Sequence, residues 1–117
     1  MKILLTCTTI EETHRIETDH DSHYPLGLAY LHSYLESLNK SYDIETRFLN
    51  NISLEKCMNK LKKDLKAFKP DVVGISMMTH SRVGAYKLIE LIRKKYPRTK
   101  IVVGGMHVSI MYEQIAE

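Results

Sequence analysis

The sequence predicts an α/β fold: a parallel sheet with helices on both sides, in one domain. Three observations carry this. Apolar, β-branched runs such as Val72-Val73-Gly74-Ile75 and Ile101-Val102-Val103 stop abruptly at small and polar residues. Such runs, without alternation, suit strands covered on both faces. Between the runs lie stretches whose apolar residues recur every three to four positions, the period of an amphipathic helix. Finally, strand and helix patterns alternate along the chain, which implies parallel pairing through right-handed crossovers.

The elements follow in order. Residues 2–7 form the first strand, Lys-Ile-Leu-Leu-Thr-Cys. Residues 26–38 form a helix with Leu28, Leu31, Leu35 and Leu38 expected on one inward face. Residues 42–49 form a second strand, with the imperfect alternation of an edge strand. Leu54, Met58, Leu61, Leu65 and Phe68 mark the second helix, with Ser53 as its N-cap candidate. Lys69-Pro70-Asp71 ends it and opens the third strand at Val72. Residues 83–96 form the third helix, with Ala85, Leu88, Ile89 and Ile92 inward and Tyr96-Pro97 closing it. Residues 101–104 form the fourth strand, and residues 110–117 open a fourth helix. The expected architecture is a flavodoxin-like (Rossmann-like) three-layer sandwich with strand order 2-1-3-4-5. It is truncated after the fourth strand and the start of the fourth helix, so residues 1–117 read as one domain of a longer polypeptide.

Composition narrows the function classes. Of the 117 residues, 44% are hydrophobic and 26% charged, which suits a globular chain with a real core. No apolar run approaches the roughly 18 residues of a membrane span, and the start is too short for a signal peptide. Two cysteines without metal-like spacing favour a reduced, cytoplasmic setting. The net charge of +3 comes mainly from the second helix, where Lys56, Lys60, Lys62, Lys63, Lys66 and Lys69 face only Glu55 and Asp64. These lysines lie opposite an apolar stripe without interleaved aromatics or arginines. They read as a solvated helix face, so no nucleic-acid or membrane partner is expected.

In open α/β sheets ligands bind at the carboxyl ends of the strands. At the end of the third strand stand Ser76, Met77, Met78, Thr79, His80 and Ser81. A hydroxyl inside a buried run needs a partner, which backbone or ligand can supply. Ser81 or Thr79 also suits an N-cap. At the end of the fourth stand Gly104, Gly105, Met106 and His107. Two glycines there either shape a tight turn or let a bulky ligand touch the backbone. The connection from Thr8 to Tyr24 is far longer than the usual 2–6 or so residues and carries His14, His20 and His23. The phosphate fingerprints G-x-G-x-x-G and the P-loop are absent, as is any catalytic triad spacing. The chain alone is not expected to be catalytic.

Three segments in order carry a family resemblance: Tyr24-Pro25-Leu26-Gly27-Leu28-Ala29-Tyr30-Leu31, Lys69-Pro70-Asp71-Val72-Val73-Gly74-Ile75-Ser76, and Val102-Val103-Gly104-Gly105-Met106-His107. Together they resemble the cobalamin-binding domain of cobalamin-dependent radical S-adenosylmethionine proteins, of the methyltransferase or anaerobic magnesium-protoporphyrin monomethyl ester cyclase type. The resemblance spans nearly the whole chain. It implies that a corrinoid lies across the strand ends with its nucleotide tail in a slot beside the sheet. Ser76 on one side and Gly104-Gly105 on the other are then opposite walls. Cys7, Thr8 and Thr9 line the far side, Leu26 and Gly27 belong to the P-L-G-L segment, and Met77, Met78, Thr79, Met106 and His107 border the ring or tail. Met77, Met78 and Met106 also suit ordinary packing.

Two departures qualify that picture. Domains that ligate cobalt from below carry D-x-H-x-x-G. Here Asp21-Ser22-His23 is followed by a glycine, Gly27, one residue too late. No metal ligand is therefore expected from the chain, His23 being the one outside candidate. The C-x-x-x-C-x-x-C cluster motif is also absent. The resemblance thus places the iron–sulfur cluster and S-adenosylmethionine in a separate downstream domain, and this chain's part is to bind and orient cobalamin. The competing reading is a flavodoxin-like regulatory or interaction domain, cofactor-free or flavin-binding. Against it, the third strand ends in Ser76-Met77-Met78 without an aspartate. The Thr6-Cys7-Thr8-Thr9 stretch is followed by Glu11 and Glu12, which repel a phosphate.

Overall fold

The computed structural model describes residues 1–8, 26–38, 41–47, 54–77, 82–105, 111 and 113. Four strands and three long helices alternate: β1 (Lys2–Cys7), α1 (Leu26–Leu38), β2 (Asp43–Arg47), α2 (Leu54–Phe68), β3 (Val72–Ser76), α3 (Arg82–Lys95) and β4 (Lys100–Gly104). The sheet is parallel throughout, in the order β2-β1-β3-β4. These are the first four positions of the expected flavodoxin-like order. Met111 and Glu113 are helical, within the span expected for a fourth helix. The long connection, including His14, His20 and His23, lies outside the described residues. So do Phe48, Leu49 and the cap candidate Ser53.

Two apolar layers hold the sheet. On one face, Leu61 and Leu65 of α2 and Ala85, Leu88 and Ile92 of α3 meet Leu4, Val73 and Ile75. On the other, Leu28 and Leu35 of α1 meet Ile3, Leu5, Cys7 and Ile44. β1 is the hub: it pairs on both sides, and its residues from Ile3 to Cys7 are all buried. Cys57 of α2 is fully buried beside Leu61, an inward position that the spacing from Leu54 to Met58 passed over. Reduced cysteine behaves as a small hydrophobe, and one turn before Leu61 is inside the stripe. The α2 lysines at 60, 62, 63 and 66 are exposed, as their helix face requires.

Two expectations need correction. Leu31 and Leu38 of α1 do not turn inward; they are 50% and 58% exposed. The described part of α1 rests on β1 and β2 along a narrow line through Leu28 and Leu35, so the leucines on its flank overhang the sheet. β4 is not buried on both faces either. Ile101 and Val103 pack into the α2–α3 core, whereas Lys100, Val102 and Gly104 are exposed. Among the described residues, no helix covers β4 on its α1-facing side.

The second helix ends under backbone strain. Lys69 has φ 51°, left-handed for a residue with a Cβ, while its N–H donates to the carbonyl of Leu65 at 3.0 Å. Glycine holds that conformation without the penalty. Lys69→Gly is therefore expected to stabilise the domain by about 0.5–1 kcal/mol, read as a raised urea midpoint at unchanged slope.

Candidate functional site

The register brings the three strand ends into one row. Cys7 is the Cα partner of Ser76, and Ser76 is the partner of Gly104. Neighbouring strands lie about 4.8 Å apart, so the row spans roughly 10 Å. Just beyond it, the Met77 N–H donates to the Gly104 carbonyl at 2.7 Å, extending the β3–β4 ladder past the strands.

Side chains alternate across this row, and the alternation decides what each can do. Val73, Ile75 and Met77 point into the core beneath α2 and α3. Val72 packs with the α1-side cluster, which puts Gly74 and Ser76 on that same face. Gly74 is small where the Leu5 side chain leans across: a Cβ there meets Leu5 Cδ2 at 2.8 Å. A Cβ at Gly104 meets nothing within 4 Å. The upper α1-facing side of β3 and β4 is thus a floor of small residues, Gly74, Ser76 and Gly104, covered by Leu5 at Gly74 and open at Gly104 among the described residues. Ser76 is half-buried, and its hydroxyl makes no hydrogen bond with the described residues. A part-desolvated hydroxyl with no partner among the described residues is suited to a polar group from a ligand.

Three site expectations change. Ser76 and Gly104 are not opposite walls; they are register partners, adjacent on one floor. Met77 offers no open side-chain surface, being fully buried in the core. The Cys7 and Thr8 side chains are buried too, so the end of β1 closes the floor rather than projecting into it. Leu26 and Gly27, at the start of α1, are exposed above the same end of the sheet. Thr9, Met78, Thr79, Met106 and His107 lie outside the described residues, as do His20 and His23.

Gly105 is required by conformation. Its φ is +107°, and a Cβ there meets the Met77 carbonyl oxygen at 2.6 Å and the Met77 nitrogen at 3.2 Å. Gly105→Ala is expected to cost about 2 kcal/mol of stability, measured by urea unfolding, because neither backbone atom can swing away as a side chain does.

Sequence patterns gave no sign of a second cleft, of about 440 Å³, between α1 and the edge strand β2. Its residues come from two elements with no shared motif. Its polar groups satisfy one another: His32 Nδ1 lies 2.6 Å from Thr46 Oγ1, and Arg47 reaches Glu45 at 2.6 Å and Asp64 at 3.1 Å. Burial disfavours the Arg47 charge, but the Glu45 hydrogen bond and the charges of Asp64 and Glu45 outweigh it, raising the pKa above its ordinary value. This cleft is a polar seam on the far edge of the sheet, with β1 and β3 between it and β4. Among the described residues, no cluster of three or more His, Cys, Asp or Glu forms a metal site, and no helix is long and apolar enough to cross a membrane.

The sequence model for the B12 binding domain matches residues 15–117, most of the chain. The chain belongs to the B12-binding domain family. Its four-stranded parallel sheet, flanked by α1 on one side and by α2 and α3 on the other, is the flavodoxin-like fold of that family in its first four strands. An uncharacterized methyltransferase of Pyrococcus horikoshii is 29% identical over 89 residues, covering 76% of this chain and 18% of the relative. An anaerobic magnesium-protoporphyrin IX monomethyl ester cyclase of Rubrivivax gelatinosus is 24% identical over 91 residues, covering 78% of this chain and 16% of the relative. The chain thus spans less than a fifth of the length of these curated relatives. No solved structure matches it significantly.

Proposed function

We propose that this B12-binding domain holds a cobalamin across the carboxyl ends of β1, β3 and β4. The nucleotide tail lies on the small-residue floor of Gly74, Ser76 and Gly104. The single observation that carries this is the space about Gly104, where a Cβ meets nothing among the described residues, beside a Ser76 hydroxyl with no hydrogen bond to them, in a chain of the B12-binding family. Glycines let the tail approach the backbone, and Ser76 offers it a hydrogen bond. Leu26 and Gly27 bound the site from α1. Thr9, Met78, Thr79, Met106 and His107 complete its rim. A bound cobalamin supplies a cobalt centre able to carry a methyl group or electrons. The chain's own work is to hold that cofactor in place and to exclude water from the buried side of the corrin.

The module serves, in this reading, a longer cytoplasmic radical S-adenosylmethionine enzyme of methyltransferase or cyclase type. The names of the two relatives support the methyltransferase or cyclase type, and the small share of their length that the chain spans supports a longer enzyme. Iron–sulfur cluster and S-adenosylmethionine belong to the downstream domain, which is the chain's partner. The protein is not expected to ligate cobalt through His23, because the D-x-H-x-x-G spacing is broken by one residue.

Parallel titrations with hydroxocobalamin and with flavin mononucleotide, followed by visible spectrum and calorimetry, test this function. Saturable binding of the corrinoid alone is expected. Binding of the flavin alone, or of neither, overturns the reading. In the same assay His23→Ala is expected to leave the cobalt spectrum of the complex unchanged.

A further inference from the structure

Below the row of strand ends, a second row crosses the same face of the sheet. Leu5 is the Cα partner of Gly74, and Gly74 is the partner of Val102. A third row follows, with Ile3, Val72 and Lys100 in register. Successive rows lie about 6.7 Å apart, two residues along each strand. Ile101 and Val103 pack into the core beneath α2 and α3, so Val102 lies on the α1-facing side with Gly74, Ser76 and Gly104.

The chemistry changes from one row to the next. At the strand ends stands the Ser76 hydroxyl. One row down, every side chain is hydrocarbon. Gly74 has none of its own, and the space that a Cβ would take is held by Leu5, whose Cδ2 lies 2.8 Å from it. The surface over Gly74 is therefore the isobutyl group of Leu5, which is buried and fixed in the cluster with Ile3, Cys7 and Leu28. Val102 flanks Gly74 on the other side, and half-buried Val72 lies below. The backbone of β3 adds no free polar groups, because the strand pairs with β1 on one side and β4 on the other. On this face of β3 and β4, the first polar side chain below Ser76 is Lys100, two rows down at the amino end of β4.

We propose that the row of Leu5, Gly74 and Val102 selects the base of the nucleotide tail: it accepts an apolar aromatic base of the dimethylbenzimidazole kind and discriminates against a purine. This selectivity rests on the reading that the tail lies on the floor of Gly74, Ser76 and Gly104. The outer edge of dimethylbenzimidazole is hydrocarbon, two methyl groups on a fused ring, and gains from apolar contact with Leu5 and Val102. The corresponding edge of adenine carries an exocyclic amine and ring nitrogens. Against Leu5 and Val102 those groups lose water and find no partner, a penalty worth about tenfold or more in affinity. Ser76, one row up, is left for the polar part of the tail. Gly74 serves by leaving Leu5 the room to lie across β3.

Calorimetry of the chain with three corrinoids tests this: hydroxocobalamin, its analogue with adenine in place of dimethylbenzimidazole, and cobinamide, which has no base. Hydroxocobalamin is expected to bind about tenfold or more tighter than the adenine analogue. Val102→Thr keeps the branched shape at a position that is 58% exposed and offers the purine edge a hydroxyl. With the fold checked by circular dichroism, it should lower the ratio of the two affinities by about threefold or more. Equal affinity for the two bases, with both above cobinamide, leaves the tail on the floor and overturns the selectivity. A ratio that Val102→Thr leaves unchanged overturns its assignment to this row. Equal affinity for all three corrinoids takes the tail off the floor, and binding of none removes the corrinoid itself; each overturns the selectivity together with the reading beneath it.

Discussion

Gly104→Trp is expected to weaken hydroxocobalamin binding by about 100-fold, roughly 2.7 kcal/mol, while the fold survives. A Cβ at Gly104 meets nothing within 4 Å among the described residues, so the backbone there accepts a side chain that projects from the floor. The space it fills is the space assigned to the nucleotide tail. Circular dichroism and the urea midpoint should stay close to those of the unmodified chain, and calorimetry should show the lost affinity. A fold-intact Gly104→Trp protein with unchanged affinity would place the tail elsewhere.

The second large effect is on stability. Leu61→Ala is expected to cost about 3 kcal/mol, lowering the melting temperature by roughly 12 °C. Leu61 is fully buried between α2 and the sheet, in the cluster with Leu4, Leu65 and Val73. Deleting its branched end leaves a cavity that a parallel sheet, held on both sides by ladder hydrogen bonds, cannot collapse to fill. Domains of this size have only about 5–15 kcal/mol in total, so the variant should remain folded at 25 °C but with a much larger unfolded fraction. Leu31→Ala, by contrast, should change the stability of the 117-residue chain little, because its side chain is half exposed on the overhanging flank of α1. The same leucine periodicity thus yields opposite outcomes on the two helices.

That contrast shows what the sequence carries and what it withholds. Strand and helix order could be read from Ile3-Leu4-Leu5, from Val72-Val73 and from the four-and-three spacing of α2, because backbone period and burial write themselves into apolar pattern. The order β2-β1-β3-β4 followed from alternation plus crossover handedness. Which leucines of α1 are covered could not be read, since that depends on which strands lie under the helix. The face of each site residue was also hidden. Ser76 and Met77 are adjacent in sequence, yet one faces the open floor and the other fills the core. That Ser76 and Gly104 share a floor, rather than facing each other across a slot, follows only from the β3–β4 register. Gly105 was legible as a glycine with a purpose, and that purpose is a positive φ packed against the Met77 backbone.

The reading as a whole turns on how the cofactor is gripped: by its nucleotide tail on the floor of Gly74, Ser76 and Gly104, without a histidine from this chain on the cobalt. The most direct measurement is a calorimetric comparison of hydroxocobalamin with cobinamide, the corrinoid that lacks the tail. The account predicts saturable binding of hydroxocobalamin and binding of cobinamide weaker by about 100-fold, a difference of roughly 2.7 kcal/mol. Equal affinity for the two corrinoids would contradict it.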